Sequence, residues 1–124
     1  MNQQGWLRRV RAGVNPGARR YAPAAAIYVD VDATLLLGGC VNTTLVAWCR
    51  RQKAAGYSLV LWSSRGEAHA RRAAKRAGAV DLFDAILSKP GYVVDDKQTR
   101  WMQYVTTVPV VPDADLPALQ VDEA

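Results

Sequence analysis

The apolar positions of this chain fall into short runs separated by turn residues and by stretches with helical spacing. Ala26-Ile27-Tyr28-Val29 is rich in β-forming residues and predicts a buried strand that ends in Asp30-Val31-Asp32-Ala33-Thr34. A loop with Gly38 and Gly39 follows. Asn42 or Thr43 then caps a helix that runs to about Ala55, with Leu45, Trp48, Cys49 and Gln52 along one side. Arg50, Arg51 and Lys53 crowd its last turns, where cations suit the helix dipole, and Gly56 stops it.

The pattern then repeats. Tyr57 to Trp62 predicts a second buried strand, Ser63 to Gly66 a turn, and Glu67 to Ala77 a helix stopped by Gly78. Phe83 to Leu87 predicts a short third strand. Tyr92 to Val94 predicts a fourth, ending in Asp95-Asp96. Lys97 to Gln103 reads as a helical turn. Tyr104 to Val111 reads as a last strand, placed at a sheet edge because Pro109 cannot donate to the ladder. Strands alternating with helices predict an α/β domain with a mainly parallel sheet, a Rossmann-like three-layer sandwich. About four residues separate the third strand from the fourth, whereas a parallel crossover needs about a dozen. The third strand is therefore expected to be irregular or antiparallel.

Charge divides the 124 residues into three parts. Arg8, Arg9, Arg11, Arg19 and Arg20 lie in the first twenty residues, which hold no acid. Residues 1–22, with three glycines and a proline, read as a flexible basic arm in which Trp6, Val10 and Val14 fall at helical spacing. Residues 23–112 are the expected domain, and 113–124 an acidic tail. The net charge of +5 thus belongs to the arm. Five arginines without acids attract polyanions; a solvated tail that aids solubility is the plainer reading. No apolar run is long enough for a membrane helix. The polar, arginine-rich start does not resemble a secretory signal, so a cytoplasmic location is expected. Cys40 and Cys49 lack metal-ligand spacing and read as reduced thiols, Cys49 on the buried side of its helix.

In parallel α/β sheets, sites gather beyond the carboxyl ends of the strands. Those ends carry Asp30 and Asp32, then Ser63, then Ser88 and Lys89, then Asp95 and Asp96. Carboxylates without histidine suit a hard cation such as Mg²⁺. A lysine and a hydroxyl beside them suit a phosphate-like anion. Each piece alone is weak, since Asp-x-Asp after a strand is usually a turn or cap. The order and placement of all four carry the inference.

In that order the motifs resemble the haloacid-dehalogenase superfamily. Ile27 to Leu35 looks like its first motif, an apolar strand followed by Asp-x-Asp-x-Thr. Leu59 to Arg65 looks like the second, an apolar strand ending in Ser or Thr. Lys89 fits the third, and Val93-Val94-Asp95-Asp96 the fourth. Ala33 departs from the glycine usual at its place, and the gap from Lys89 to Asp95 is short. The resemblance spans about Ala26 to Arg100. It implies a Mg²⁺-dependent phosphomonoesterase working through an aspartyl-phosphate. Asp30 is then the nucleophile and Asp32 the general acid and base. Ser63 and Lys89 bind the phosphoryl oxygens, and Ser64 and Arg65 lie near substrate. The metal is held among Asp30, Asp32 and Asp95 or Asp96.

Superfamily members often carry a cap domain after the first or second motif. The intervals Leu35–Trp62 and Ser64–Ser88 are filled by core elements, so a minimal core without a cap is expected. Its open site would admit a nucleotide or a nucleic-acid end, unless a partner chain or the arm covers it. His69 reads as a surface or packing residue, or a group at the pocket mouth. Two other classes fit the same motifs. One is a catalytically weak binding or regulatory module whose arm contacts a polyanion or protein. The other is a phosphotransferase.

Overall fold

The computed structural model describes residues 22–110. The basic arm and acidic tail lie outside them, apart from Ala22 at the arm's end. The chain divides into two compact units, one built on Ala25–Gly91 and the other including Tyr92–Pro109.

In the first unit, strand β1 (Ala26–Asp30) leads into a short hairpin, β2 (Leu36–Leu37) and β3 (Cys40–Val41), turned by Gly38 and Gly39. Helix α1 (Thr43–Ala54) follows, then β4 (Ser58–Ser63), α2 (Glu67–Arg76), a 3₁₀ turn over Val80–Leu82, and β5 (Ala85–Ser88). The three longer strands form a parallel sheet in the order β1-β4-β5. The unit is therefore α/β with a parallel sheet, as the alternation predicted.

Local chemistry explains the boundaries. Asn42 caps α1: its Oδ1 accepts from the N–H of Leu45 at 3.1 Å, while its Nδ2 donates to the carbonyl of Thr34 at 3.1 Å. The predicted inner side of α1, Leu45, Trp48, Cys49 and Gln52, is the buried one. Arg51 and Lys53 fall in its last turn, and Lys53 Nζ also reaches the carbonyl of Leu82 at 2.9 Å. The alanine side of α2 buries Ala70, Ala73 and Ala74. Gly78 ends that helix with a φ of +63°, in the left-handed region where glycine is favoured. Asp84 extends the pairing of β5 with β4: its N–H donates to the Leu59 carbonyl at 2.8 Å, and its Oδ2 accepts from the Leu59 N–H at 2.9 Å.

Most of the core lies on one face of the sheet, with Val60 buried on the other. Both crossovers step the same way, from β1 to β4 to β5. Right-handed crossovers in one direction put α1 and α2 on the same side. Val29, Leu59, Leu61 and Ile86 share that side and are buried. The opposite side carries Tyr28, Val60, Trp62 and Leu87; Tyr28 keeps 52% of its surface exposed and Leu87 41%. Two layers of the three expected are thus present in this unit among the described residues.

Three expectations about strands are corrected. The third strand, β5, is regular and parallel to β4. The fourth, Tyr92 to Val94, is not a strand, and Tyr92 and Val94 are fully exposed. The cause is the spacing itself. Lys89 to Gly91 is too short to return the chain to a parallel position, and Pro90 removes a donor. No strand forms over the described part of the last predicted one either, residues 104–110. The helical turn near Lys97 is present as a 3₁₀ helix over Gln98–Tyr104 in the second unit.

Candidate functional site

The site begins where β1 ends. Asp30 is the last residue of that strand and pairs in register with Trp62 of β4, while Ser63 pairs with Ser88 of β5. Beyond Asp30 the chain turns back tightly. Thr34 N–H donates to the Val31 carbonyl at 3.2 Å, Leu35 N–H to that of Asp30 at 3.3 Å, and Leu36 N–H to that of Val31 at 3.0 Å. Val31 and Leu35, both fully buried, pin the turn to the core. Ala33 sits at its tip with a φ of +59°. This left-handed conformation is strained for a residue with a Cβ, and it accounts for the glycine usual at this place in the motif.

Lys89 reaches Asp30. Its N–H donates to the Ser63 carbonyl at 2.9 Å, which fixes the chain just past β5. Its Nζ stands 3.1 Å from Asp30 Oδ1 and 5.7 Å from the centroid of the Trp62 ring. The other carboxylate oxygen of Asp30, Oδ2, accepts a long 3.4 Å bond from the Thr34 hydroxyl. The Asp30 and Lys89 side chains are 37% and 33% exposed, so the pair is open to solvent. An ammonium beside a strand-end carboxylate is the arrangement needed to draw an anion toward a nucleophile.

Asp32 has different partners. Nε2 of His69 lies 3.2 Å from each of its carboxylate oxygens, and the Arg65 guanidinium lies 3.4 Å from Oδ1. The His69 side chain, on the first turn of α2, is only 15% exposed. His69 is thus part of the Asp32 cluster. The sequence signal for it was thin: a lone histidine three residues after Gly66, at the helix start that faces the rim.

Ser63 is 1% exposed, and its hydroxyl accepts from the Arg65 N–H at 3.0 Å. It shapes the turn that aims Arg65 at Asp32. Ser64 is exposed in the same turn. Asp95 and Asp96 belong to the second unit. There, Asp95 Oδ1 accepts from the Lys97 N–H at 2.7 Å and the Asp95 carbonyl from the Gln98 N–H at 3.1 Å, opening the 3₁₀ helix. Because Tyr92 to Val94 is not a strand, the sheet does not carry these two acids.

The intervals around these residues hold no inserted domain. The hairpin and α1 fill residues 36–54, and α2 and the 3₁₀ turn fill 67–82. Cys40 and Cys49 are both free, and burial pushes the Cys49 thiol up to about 12. Among the described residues no helix is long and apolar enough to cross a membrane. Among them, too, no three His, Cys, Asp or Glu side chains group so as to hold a metal on their own. Asp30 Oδ2, beyond the long Thr34 bond, faces the same rim as Oδ1. Neither a family model, nor a curated protein, nor a solved structure matches this chain.

Proposed function

We propose that this chain is a phosphomonoesterase of the capless haloacid-dehalogenase type, with Mg²⁺ as cofactor and Asp30 as nucleophile. The observation that carries the reading is the 3.1 Å approach of the Lys89 ammonium to Asp30 Oδ1 at the carboxyl rim of a parallel sheet. The motif order supports it.

In this reading an Asp30 oxygen attacks phosphorus. The bond from phosphorus to the ester oxygen breaks as the aspartyl-phosphate forms. Asp32 gives a proton to the leaving oxygen and later takes one from the water that attacks the aspartyl-phosphate. His69, 3.2 Å from both Asp32 oxygens, holds that carboxylate in place and can pass its proton to solvent. Lys89 neutralises charge on the phosphoryl oxygens. Asp30 and the Asp32 carbonyl would hold the cation, which would supply further charge neutralisation. A Rossmann-like core without a cap leaves the rim open, which suits a nucleotide or a nucleic-acid end.

The test is hydrolysis of a panel of phosphate esters with and without Mg²⁺, by the wild type and Asp30→Asn. Mg²⁺-dependent phosphate release that disappears in the variant is expected. Equal release by a folded Asp30→Asn protein would overturn the assignment.

A further inference from the structure

The sheet side opposite α1 and α2 holds two aromatic rings beside Asp30. Tyr28 and Trp62 meet edge to face, with centroids 4.8 Å apart and ring planes at 63°. Strand alternation and the pairing of Asp30 with Trp62 put Tyr28, Asp30 and Trp62 on one sheet face. Tyr28 is half exposed, so its ring is open to a ligand. Lys89 joins the rings to the nucleophile, because its ammonium lies against both Asp30 and Trp62.

From this juxtaposition we infer that Tyr28 and Trp62 form a stacking platform for the nucleobase of the substrate, whose phosphate is drawn in by Lys89. The inference rests on the phosphatase reading for the role of Asp30, but the platform itself is a matter of binding. Its chemistry is complementary at both ends. A cation receives the phosphate, and polarisable ring faces receive a flat heteroaromatic base. The Trp62 centroid lies 5.7 Å from the ammonium, and the Tyr28 centroid 4.8 Å from that of Trp62. In a nucleotide a ribose separates base from phosphate, so its base can reach rings that stand off from the cation. The five arginines among the first twenty residues of the sequence favour a polyanionic nucleic-acid end over a small phosphate ester.

Calorimetric binding of adenosine 5′-monophosphate, glycerol 3-phosphate and phenyl phosphate to the Asp30→Asn protein tests this without turnover. The nucleotide is expected to bind about tenfold more tightly than glycerol 3-phosphate, the scale of one stacked base. Tyr28→Ala and Trp62→Ala are each expected to bring that ratio toward one. Tyr28 is exposed enough that its variant will fold even if Trp62→Ala does not. A ratio near one in the parent protein, or one unchanged in the Tyr28 variant, overturns the platform. Phenyl phosphate binding as tightly as the nucleotide overturns its assignment to a nucleobase. Failure of the phosphatase reading shows separately, as absence of Mg²⁺-dependent turnover for every ester by the wild type, and leaves the binding ratio to decide the platform.

Discussion

Lys89 Nζ lies 3.1 Å from Asp30 Oδ1, although the two residues come from strands that do not touch: β4 runs between β1 and β5. The lysine spans that strand by lying across the Trp62 ring, with its backbone tied to Ser63. An exposed ion pair of this kind contributes little to stability, on the order of 0–1 kcal/mol. In the proposed phosphatase its value is in placing charge where the phosphoryl group would sit.

Lys89→Ala is accordingly expected to lower kcat for phosphate esters by about 10²–10³-fold while shifting the unfolding midpoint little. Lys89→Arg should recover part of the loss. Steady-state kinetics beside thermal melts would check this, and a variant with wild-type kcat would remove Lys89 from the site.

Ala33→Gly is expected to stabilise the protein by about 1 kcal/mol, because it relieves a left-handed alanine at φ +59°. Urea unfolding curves of the two proteins give the difference directly. A destabilised variant would show that the turn between Asp30 and Thr34 is held by something other than its own hydrogen bonds.

Asn42 is buried and serves two elements at once, capping α1 and holding the Thr34 carbonyl. Asn42→Ala should cost about 2–3 kcal/mol, from one lost cap and one unsatisfied carbonyl. It should also loosen the turn bearing Asp32. Denaturant titration measures the first effect, and amide exchange at residues 32–36 the second. A loss below about 0.5 kcal/mol would refute the double role.

The two thiols should separate cleanly. Cys40 is exposed, whereas Cys49 is buried with its thiol pushed up to about 12. A disulfide reagent at pH 8 should label Cys40 rapidly and Cys49 only after denaturation. Fast labelling of native Cys40→Ser protein would contradict the packing of α1.

The Asp84 carboxyl is held below its usual range by the hydrogen bond from the Leu59 N–H and by nearby Lys53. A depressed folded-state value means that its contribution is present above the unfolded value of ~3.9 and fades as pH falls through the folded one. Asp84→Asn should therefore flatten the acid limb of the stability curve below about pH 4. Unfolding midpoints measured from pH 7 down to 3 would reveal it, and parallel limbs would rule the linkage out.

The α/β character was legible because each strand ended in a turn residue or acid and each helix in a glycine. Cys49 and Trp48 fell on the inner side of α1 because the 3.6-residue period leaves few alternatives. What could not be read was long-range. Nothing local to Tyr92-Val93-Val94 says that a β-prone tripeptide will find no ladder. The deciding fact is the shortness of Lys89 to Gly91, which rules out the fourth strand and leaves the third free to run parallel. The closeness of Lys89 to Asp30 depends on β5 being parallel, a long-range pairing that no local signal carries. His69 was hidden for a similar reason: its meeting with Asp32 depends on the angle at which α2 leaves the rim.

The register of β1 on β4 has one more consequence. A slip of one residue would turn Asp30 toward the helices and bring Val29 out into water. Burying that carboxylate away from Lys89 would cost several kcal/mol. Asp30 therefore also polices the pairing of its own strand, so that a misaligned sheet is disfavoured by the very group proposed as the nucleophile. Replacing it with an apolar residue should give a chain that folds with less fidelity, even if the correctly aligned form becomes no less stable.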